Sequence, residues 1–198
     1  MAALYTGRGD SGETDVGAGR RRKDAPALEA VGSLDEANAA IGAALAELAH
    51  GGQGERSGVA LRVLLDVQAD LFALSADLAW PASGVAIAAD RVAWLEQRID
   101  EAEAALPPLV SFVLPGGCRA AASLHLARTA VRRAERRVVA LLAPAPEQPA
   151  ATHPALPYLN RLSDLLFAQA RLANRDAGLD ETPWSRPDRQ AAPPQQRQ

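Results

Sequence analysis

Cysteine is nearly absent from this 198-residue sequence. Cys118 stands alone, so no internal disulfide can form, and multi-thiolate zinc and iron–sulfur sites are excluded. A reducing compartment is the simplest fit, with the cytoplasm as the expectation. Aromatic residues make up only 4% of the chain, so its core must be aliphatic and alanine-rich, which suits close-packed helices better than sheets. Of the three histidines, His50 and His153 lack ligand spacing and His125 reads as a satisfied structural histidine, and no Ser-His-Asp order, paired-His motif or EF-hand loop appears. Charge of neither sign dominates: 21 Lys+Arg against 24 Asp+Glu leave a formal net charge of −3. That balance argues against a general nucleic-acid or anionic-membrane binder. No apolar run approaches the ~18 residues of a membrane span. The N-terminus, MAALYTGRGDSGETD, lacks the apolar middle of a signal peptide.

What is present is a chain of globular composition, with 48% hydrophobic and 23% charged residues. Leu28, Val31, Leu34, Asn38, Ile41, Leu45 and Leu48 recur every three or four positions and predict a helix over 27–49. Similar stripes predict helices over 57–80, 88–106, 118–142 and 156–176. Pro107-Pro108 ends the third. The segment 109–117, LVSFVLPGG, has the apolar run of a strand but no evident partner, and reads as a packed loop that delivers the fourth helix. The expected fold is all-α: a five-helix bundle preceded by an irregular Gly-rich segment. Three regions follow: an N-terminal phosphate-binding segment at 1–24, the bundle at 25–177, and a Pro/Gln/Arg-rich tail at 178–198 expected to be disordered.

Two segments carry candidate chemistry. In Thr6-Gly7-Arg8-Gly9-Asp10-Ser11-Gly12-Glu13-Thr14, glycines let backbone N–H groups converge on an anion and hydroxyls add donors. Arg20-Arg21-Arg22-Lys23 follows it. No Gly-Lys-Ser/Thr is present at P-loop spacing, and composition alone also fits a solvated arm. The fourth helix holds arginines at 119, 128, 132, 133, 136 and 137 against one acid, Glu135. Arg128, Arg132, Glu135 and Arg136 share one face. Like charges four residues apart repel, so such a stripe calls for acids from elsewhere or an anionic ligand; a solvated basic face or contacts between subunits would also satisfy it. Asp35 and Glu36 are candidate acids on the first helix. On the fifth helix, Asn160, Asp164, Arg171 and Asn174 form a polar stripe opposite Leu159, Leu162, Leu166 and Ala173.

Together YTGRGDSGET (5–14), EAVGSLDEANAAIG (29–42), FVLPGGCRAAASLHLARTAVRRAERRVVAL (112–141) and YLNRLSDLLFAQARLAN (158–174) resemble the trimeric ATP:cob(I)alamin adenosyltransferases, over roughly residues 5–176. The resemblance implies a homotrimer with active sites between subunits. It implies ATP contacts from Thr6, Gly7, Arg8, Gly9, Thr14, Asp15 and Lys23, from Arg132, Arg133, Ala134, Glu135 and Arg136, and from Asn160. It implies that Asp35 and Arg128 pair across the interface beside the active site, and that Phe112 packs against the lower face of the corrin. The implied reaction moves the 5′-deoxyadenosyl group of ATP, with Mg²⁺, onto the cobalt of cob(I)alamin and releases triphosphate. A cobalamin-dependent enzyme would receive the product. The alternative is a bundle that binds or delivers the same ligands without chemistry. Departures from the family's usual pattern are Arg8 in place of a small polar residue and Ser11 where lysine is frequent, which together relocate one positive charge within the loop. Gly17-Ala18-Gly19 also replaces a more usual aromatic-glycine sequence, and a one-residue deletion before Lys23 is inferred.

Overall fold

The aliphatic periodicity becomes five helices in the computed structural model, which describes residues 5–17, 19–51, 55–143 and 153–185. They are α1 (Pro26–Gly51), α2 (Glu55–Ala79), α3 (Arg91–Ala104), α4 (Arg119–Leu142) and α5 (Ala155–Asp176). α3 begins at Arg91 rather than at 88. The residues before it form no helix, bury Ile87 and turn into α3 through the bond from the Arg91 amide to the Ala88 carbonyl at 3.1 Å. Pro144, Pro146 and Pro149 of the expected linker, and the tail beyond 185, lie outside the described residues.

α4 packs between α1 and α5, with α2 against α1 and α3 against α5. Leu34 and Ile41 of α1, Leu64, Leu71 and Leu74 of α2, Leu124 of α4 and Leu159, Leu162 and Leu166 of α5 are fully buried or nearly so. Alanines 37, 44, 121, 127 and 134 at the α1–α4 seam are also buried, and their small side chains let the two helices approach closely. Asn38, although on the apolar stripe of α1, is buried because it pairs with α2: Asn38 Nδ2 donates to the Gln68 carbonyl at 3.3 Å and Gln68 Nε2 returns a bond to the Asn38 carbonyl at 3.1 Å. One end of the bundle closes on Asp70, which accepts from Arg91 Nη2 and from the Tyr158 hydroxyl, each at 2.7 Å. Burial, followed by the bond to Asp70, holds the Tyr158 phenol well above its usual pKa.

Two expectations are corrected. The N-terminal segment is not irregular throughout. Glu13–Val16 (β1) and Gly19–Arg22 (β2) form an antiparallel hairpin with Glu13 opposite Arg22 and Val16 opposite Gly19. Gly17, at φ +58°, turns the hairpin where a Cβ would fall 2.7 Å from the Trp80 ring. The segment 109–117 does have a strand partner. Val113 forms an antiparallel bridge with Pro183, the Leu114 amide donates to the Thr182 carbonyl at 2.9 Å, and the Trp184 amide to the Phe112 carbonyl at 2.7 Å. Residues 179–185, expected as part of a disordered tail, are therefore an ordered strap across this loop.

Gly117, at φ +105°, ends the loop where a Cβ would collide with the Asn174 carboxamide. That carboxamide donates to the Gly116 carbonyl at 3.0 Å and accepts from the Cys118 amide at 2.9 Å, while Cys118 Sγ caps α4 by accepting from the Ala121 amide at 3.4 Å. A Gly117→Ala substitution forces an unfavourable φ and displaces Asn174, at ~1–3 kcal/mol for the backbone alone. With roughly 2–4 °C per kcal/mol at this chain length, calorimetry should show a melting temperature lower by several degrees. An unchanged value would mean that the Asn174 contacts contribute nothing to stability.

Candidate functional site

The six arginines of α4 divide into two sets. α1 runs antiparallel to α4 and supplies acids to one set: Glu47 to Arg119 at 2.8 Å, Glu36 to Arg133, and Glu29 to Arg137 at 3.0 Å. The other set is Arg128, Arg132 and Arg136, and none of the three takes part in an ion pair among the described residues. Their spacing of four puts them on one line along the helix, ~6 Å apart. Arg128 is partly buried, and its Nε is buried without a hydrogen-bond partner. Burial, and then the charge of Arg132, lower its pKa from the usual guanidinium value. The guanidinium stays charged at neutral pH all the same. A row of unneutralised guanidiniums is destabilising to the free helix and complementary to a polyanion.

Arg133, expected among the ATP contacts, is held by Glu36 in this chain. Asp35 is exposed and takes part in no ion pair among the described residues. The bundle brings Glu135 and Asn160 together: Asn160 Nδ2 donates to Glu135 Oε1 at 3.2 Å, and Asn160 Oδ1 accepts from Arg161 Nη1 at 2.8 Å. Both expected residues thus sit at the α4–α5 seam beside the arginine row, and Ala134 is buried behind them. His125, one turn before Arg128, is buried with its ring 6.0 Å from that of Phe167, but its Nδ1 has no hydrogen-bond partner among the described residues, so it is not the satisfied histidine expected. Burial first, then Arg128, hold its pKa below the ordinary 6.5.

At the open end of the hairpin a shallow hollow of about 490 Å³ is lined by Ser11, Gly12, Glu13, Arg22, Lys23 and Asp24. Gly7 and Gly12 take φ values of +69° and +82°, which tightens the loop as only glycine does easily. The Lys23 amide donates to the Gly12 carbonyl at 2.9 Å, and Lys23 Nζ lies 3.1 Å from where a Cβ on Gly9 would be. Absence of that Cβ leaves the lysine its place. Thr6 Oγ1 accepts from the Arg8 amide at 3.4 Å, and Thr14 lies in β1 opposite Arg21. Arg8 pairs with Asp15 at 3.2 Å, and Arg20 donates to the Arg8 carbonyl at 2.8 Å. The extra charge at position 8 is thus met by a carboxylate of the same hairpin. Exposed pairs of this kind contribute ~0–1 kcal/mol. No hydrogen bond or ion pair joins the hairpin to α4 among the described residues.

Phe112 is 79% exposed, in a loop that also shows Leu109, Val110 and Leu114 to solvent. A large exposed apolar ring held on a braced loop is a surface for a flat apolar ligand. Among the described residues, no cluster of three or more His, Cys, Asp or Glu could hold a metal ion, and no helix is long and apolar enough to cross a membrane.

Sequence reasoning found the polar stripe of α5 but not what it holds, and it missed Glu181. Arg171 and Asn174 are buried, and both are bonded to the Phe112 loop or its strap. The signal was the acid and the tryptophan in LDETPWS (179–185), which set that stretch apart from the Pro/Gln/Arg composition around it.

Comparison with known proteins gives a consistent picture. A family model described as cobalamin adenosyltransferase matches residues 4–173. The corrinoid adenosyltransferase of Bacillus subtilis is 43% identical over 185 residues, covering 92% of each chain. A variant of the PduO-type ATP:co(I)rrinoid adenosyltransferase from Lactobacillus reuteri, complexed with ATP, superposes with a TM-score of 0.79 at 33% identity, over 92% of this chain and 100% of that one. Another variant of the L. reuteri enzyme, complexed with cobalamin and ATP, gives 0.78 at 32% identity, over 92% and 96%.

Proposed function

The chain belongs to the cobalamin adenosyltransferase family, and from that premise we propose that it transfers the 5′-deoxyadenosyl group of ATP to the cobalt of cob(I)alamin. Cobalt, the nucleophile, attacks the ribose C5′. The Co–C bond forms as the C5′–O bond breaks, and triphosphate leaves with the electron pair. The substrate supplies the nucleophile, so no protein base is needed. The protein must bend ATP so that C5′ meets cobalt, exclude water, and stabilise charge on the leaving group.

The observation that carries this reading is the Arg128, Arg132, Arg136 row, which α1 leaves without acids while neutralising the other three arginines. Arg132 and Arg136 take the triphosphate. Thr6, Gly7, Arg8, Gly9, Thr14, Asp15 and Lys23 complete its cradle from the hairpin, and Glu135 and Asn160 contact the nucleoside side. Among the described residues the hairpin and the arginine row are not bonded to one another, which supports a homotrimer in which one subunit's hairpin completes its neighbour's site. Exposed Leu126 on α4 and Phe72 on α2 support burial against further copies. In that assembly Arg128, whose Nε lacks a partner, pairs with Asp35 of the neighbour. Arg133 exchanges Glu36 for phosphate when ATP arrives. Mg²⁺, for which no cluster of three or more His, Cys, Asp or Glu is present among the described residues, would be held through the phosphate oxygens and would offset their charge. Phe112 lies under the corrin, where an apolar ring displaces the axial ligand of Co(II), raises its reduction potential and makes Co(I) accessible. The segment 1–24 is then the nucleotide arm and 25–177 the bundle that carries the rest of the site. The single free cysteine supports work in the cytoplasm, with an adenosylcobalamin-dependent enzyme taking the product.

Reduced cobalamin, ATP and Mg²⁺ mixed with the protein without oxygen should yield adenosylcobalamin and an equal amount of triphosphate. Tight ATP and cobalamin binding without product would identify a delivery module. Absence of any ATP-dependent rise in melting temperature, which a bound ligand must produce, would remove the nucleotide site altogether.

A further inference from the structure

Arg171 is a charged side chain at 6% exposure that the reaction above does not use. Its Nε donates to both carboxylate oxygens of Glu181, at 2.8 and 3.1 Å, and its Nη2 donates to the Pro107 carbonyl at 2.9 Å. Pro107 is where the chain leaves α3 for the Phe112 loop. Glu181 belongs to the strap whose backbone is bonded to Phe112 and Leu114. One buried guanidinium therefore reaches the loop twice, at its base and, through the strap, at its apex.

The ring itself is held by its backbone. Phe112 is 79% exposed, so packing of its own side chain does not set its position; the backbone bonds do. α5 holds the far end of the loop as well, through the bonds of Asn174 to Gly116 and Cys118. α3 and α5 already pack along their length, so the contacts of Arg171 with a loop carbonyl and a strap acid are addressed to the loop rather than to the bundle. A buried charge that loses its partner draws in water or swings out, which releases the strap.

We propose that Arg171, acting through Glu181 and the Pro107 carbonyl, is the positioning residue that fixes the height of Phe112 against the corrin. This rests on the adenosyltransferase reading. A side chain must be pre-placed to displace a ligand on one face of a ring, and a loop whose only strand pairing is a single bridge to the strap needs that strap to be braced.

The test uses the full chain, with Glu181→Ala as the cut and Glu181→Gln as the conservative variant. Glu181 lies beyond the last helix, so the bundle should fold. Amide hydrogen exchange at Leu114 and Trp184 should quicken about tenfold or more in Glu181→Ala. The KM for cobalamin should rise while the KM for ATP holds, and the spectrum of four-coordinate Co(II)alamin with ATP present should weaken. Glu181→Gln, which can still accept from Arg171, should recover part of each. Unchanged exchange would mean that no clamp exists. Faster exchange with an unchanged cobalamin KM and Co(II) spectrum would make the clamp irrelevant to the reaction, and an equal rise in both KM values would make it general scaffolding. If the unsubstituted protein forms no adenosylcobalamin, the adenosyltransferase reading fails and this inference with it, whereas an active parent with unaffected variants sinks this inference alone.

Discussion

An Arg132→Ala variant should keep its fold and lose its chemistry. Arg132 is exposed, has no acid partner among the described residues, and stands four residues from both Arg128 and Arg136. Its charge is one reason the Arg128 pKa is lowered, so its removal relieves repulsion along α4. Each like-charge pair at this spacing is worth only a few tenths of a kcal/mol, about 0.2–0.5. The melting temperature without ligand should therefore hold or rise slightly. Turnover should move the other way. Deleting one preorganised group aimed at developing charge typically costs about 10²–10³ in kcat, some 2.7–4 kcal/mol. Stability and activity moving in opposite directions is the signature of a residue kept for its ligand. A fall of several degrees, or near-normal turnover, would return Arg132 to the role of a surface or subunit-contact charge. Arg132→Lys should recover part of the binding but less of the rate, because a point charge cannot reproduce the planar fork.

The helices were legible because each α-helix buries one face, and the three-to-four-residue recurrence of Leu, Val, Ile and Ala records which face that is. The arginine row was legible for the same geometric reason. What could not be read was which of six arginines would be neutralised. That depends on the register between α1 and α4, which brings Glu47, Glu36 and Glu29 opposite Arg119, Arg133 and Arg137, and register between helices so distant in sequence leaves no local trace. The strap was lost for a related reason. A single bridge of the Val113–Pro183 kind has no alternation long enough to detect, and its neighbours in sequence are proline-, glutamine- and arginine-rich. The hairpin was hidden because four-residue strands of Glu, Thr, Asp and Arg bury little and so show no apolar pattern; their turn is marked only by Gly17 and Gly19. Arg171 shows how far local reading reaches. Its place on a polar stripe was visible, but the carboxylate that makes its burial tolerable comes from beyond the helix.

Phe112→Ala should separate two steps that a single turnover number conflates. The ring is 79% exposed, and the bonds that order its loop use the backbone, so truncation should leave the fold and the KM for ATP intact. If the ring becomes buried against the corrin, its loss removes up to about 3 kcal/mol of apolar contact, or roughly 150-fold in affinity. That loss applies to any cobalamin. A further loss applies only to Co(II), whose axial ligand must be displaced before it accepts an electron readily, whereas Co(I) needs no such displacement. Turnover started from chemically prepared cob(I)alamin should therefore fall by the contact energy alone, and turnover started from cob(II)alamin with a reductant should fall further. The ratio of the two rates is the quantity to measure. An unchanged ratio would leave Phe112 as a binding contact and place the control of Co(II) reduction elsewhere in the loop, while a large drop in the ratio would tie an exposed phenylalanine to the redox step.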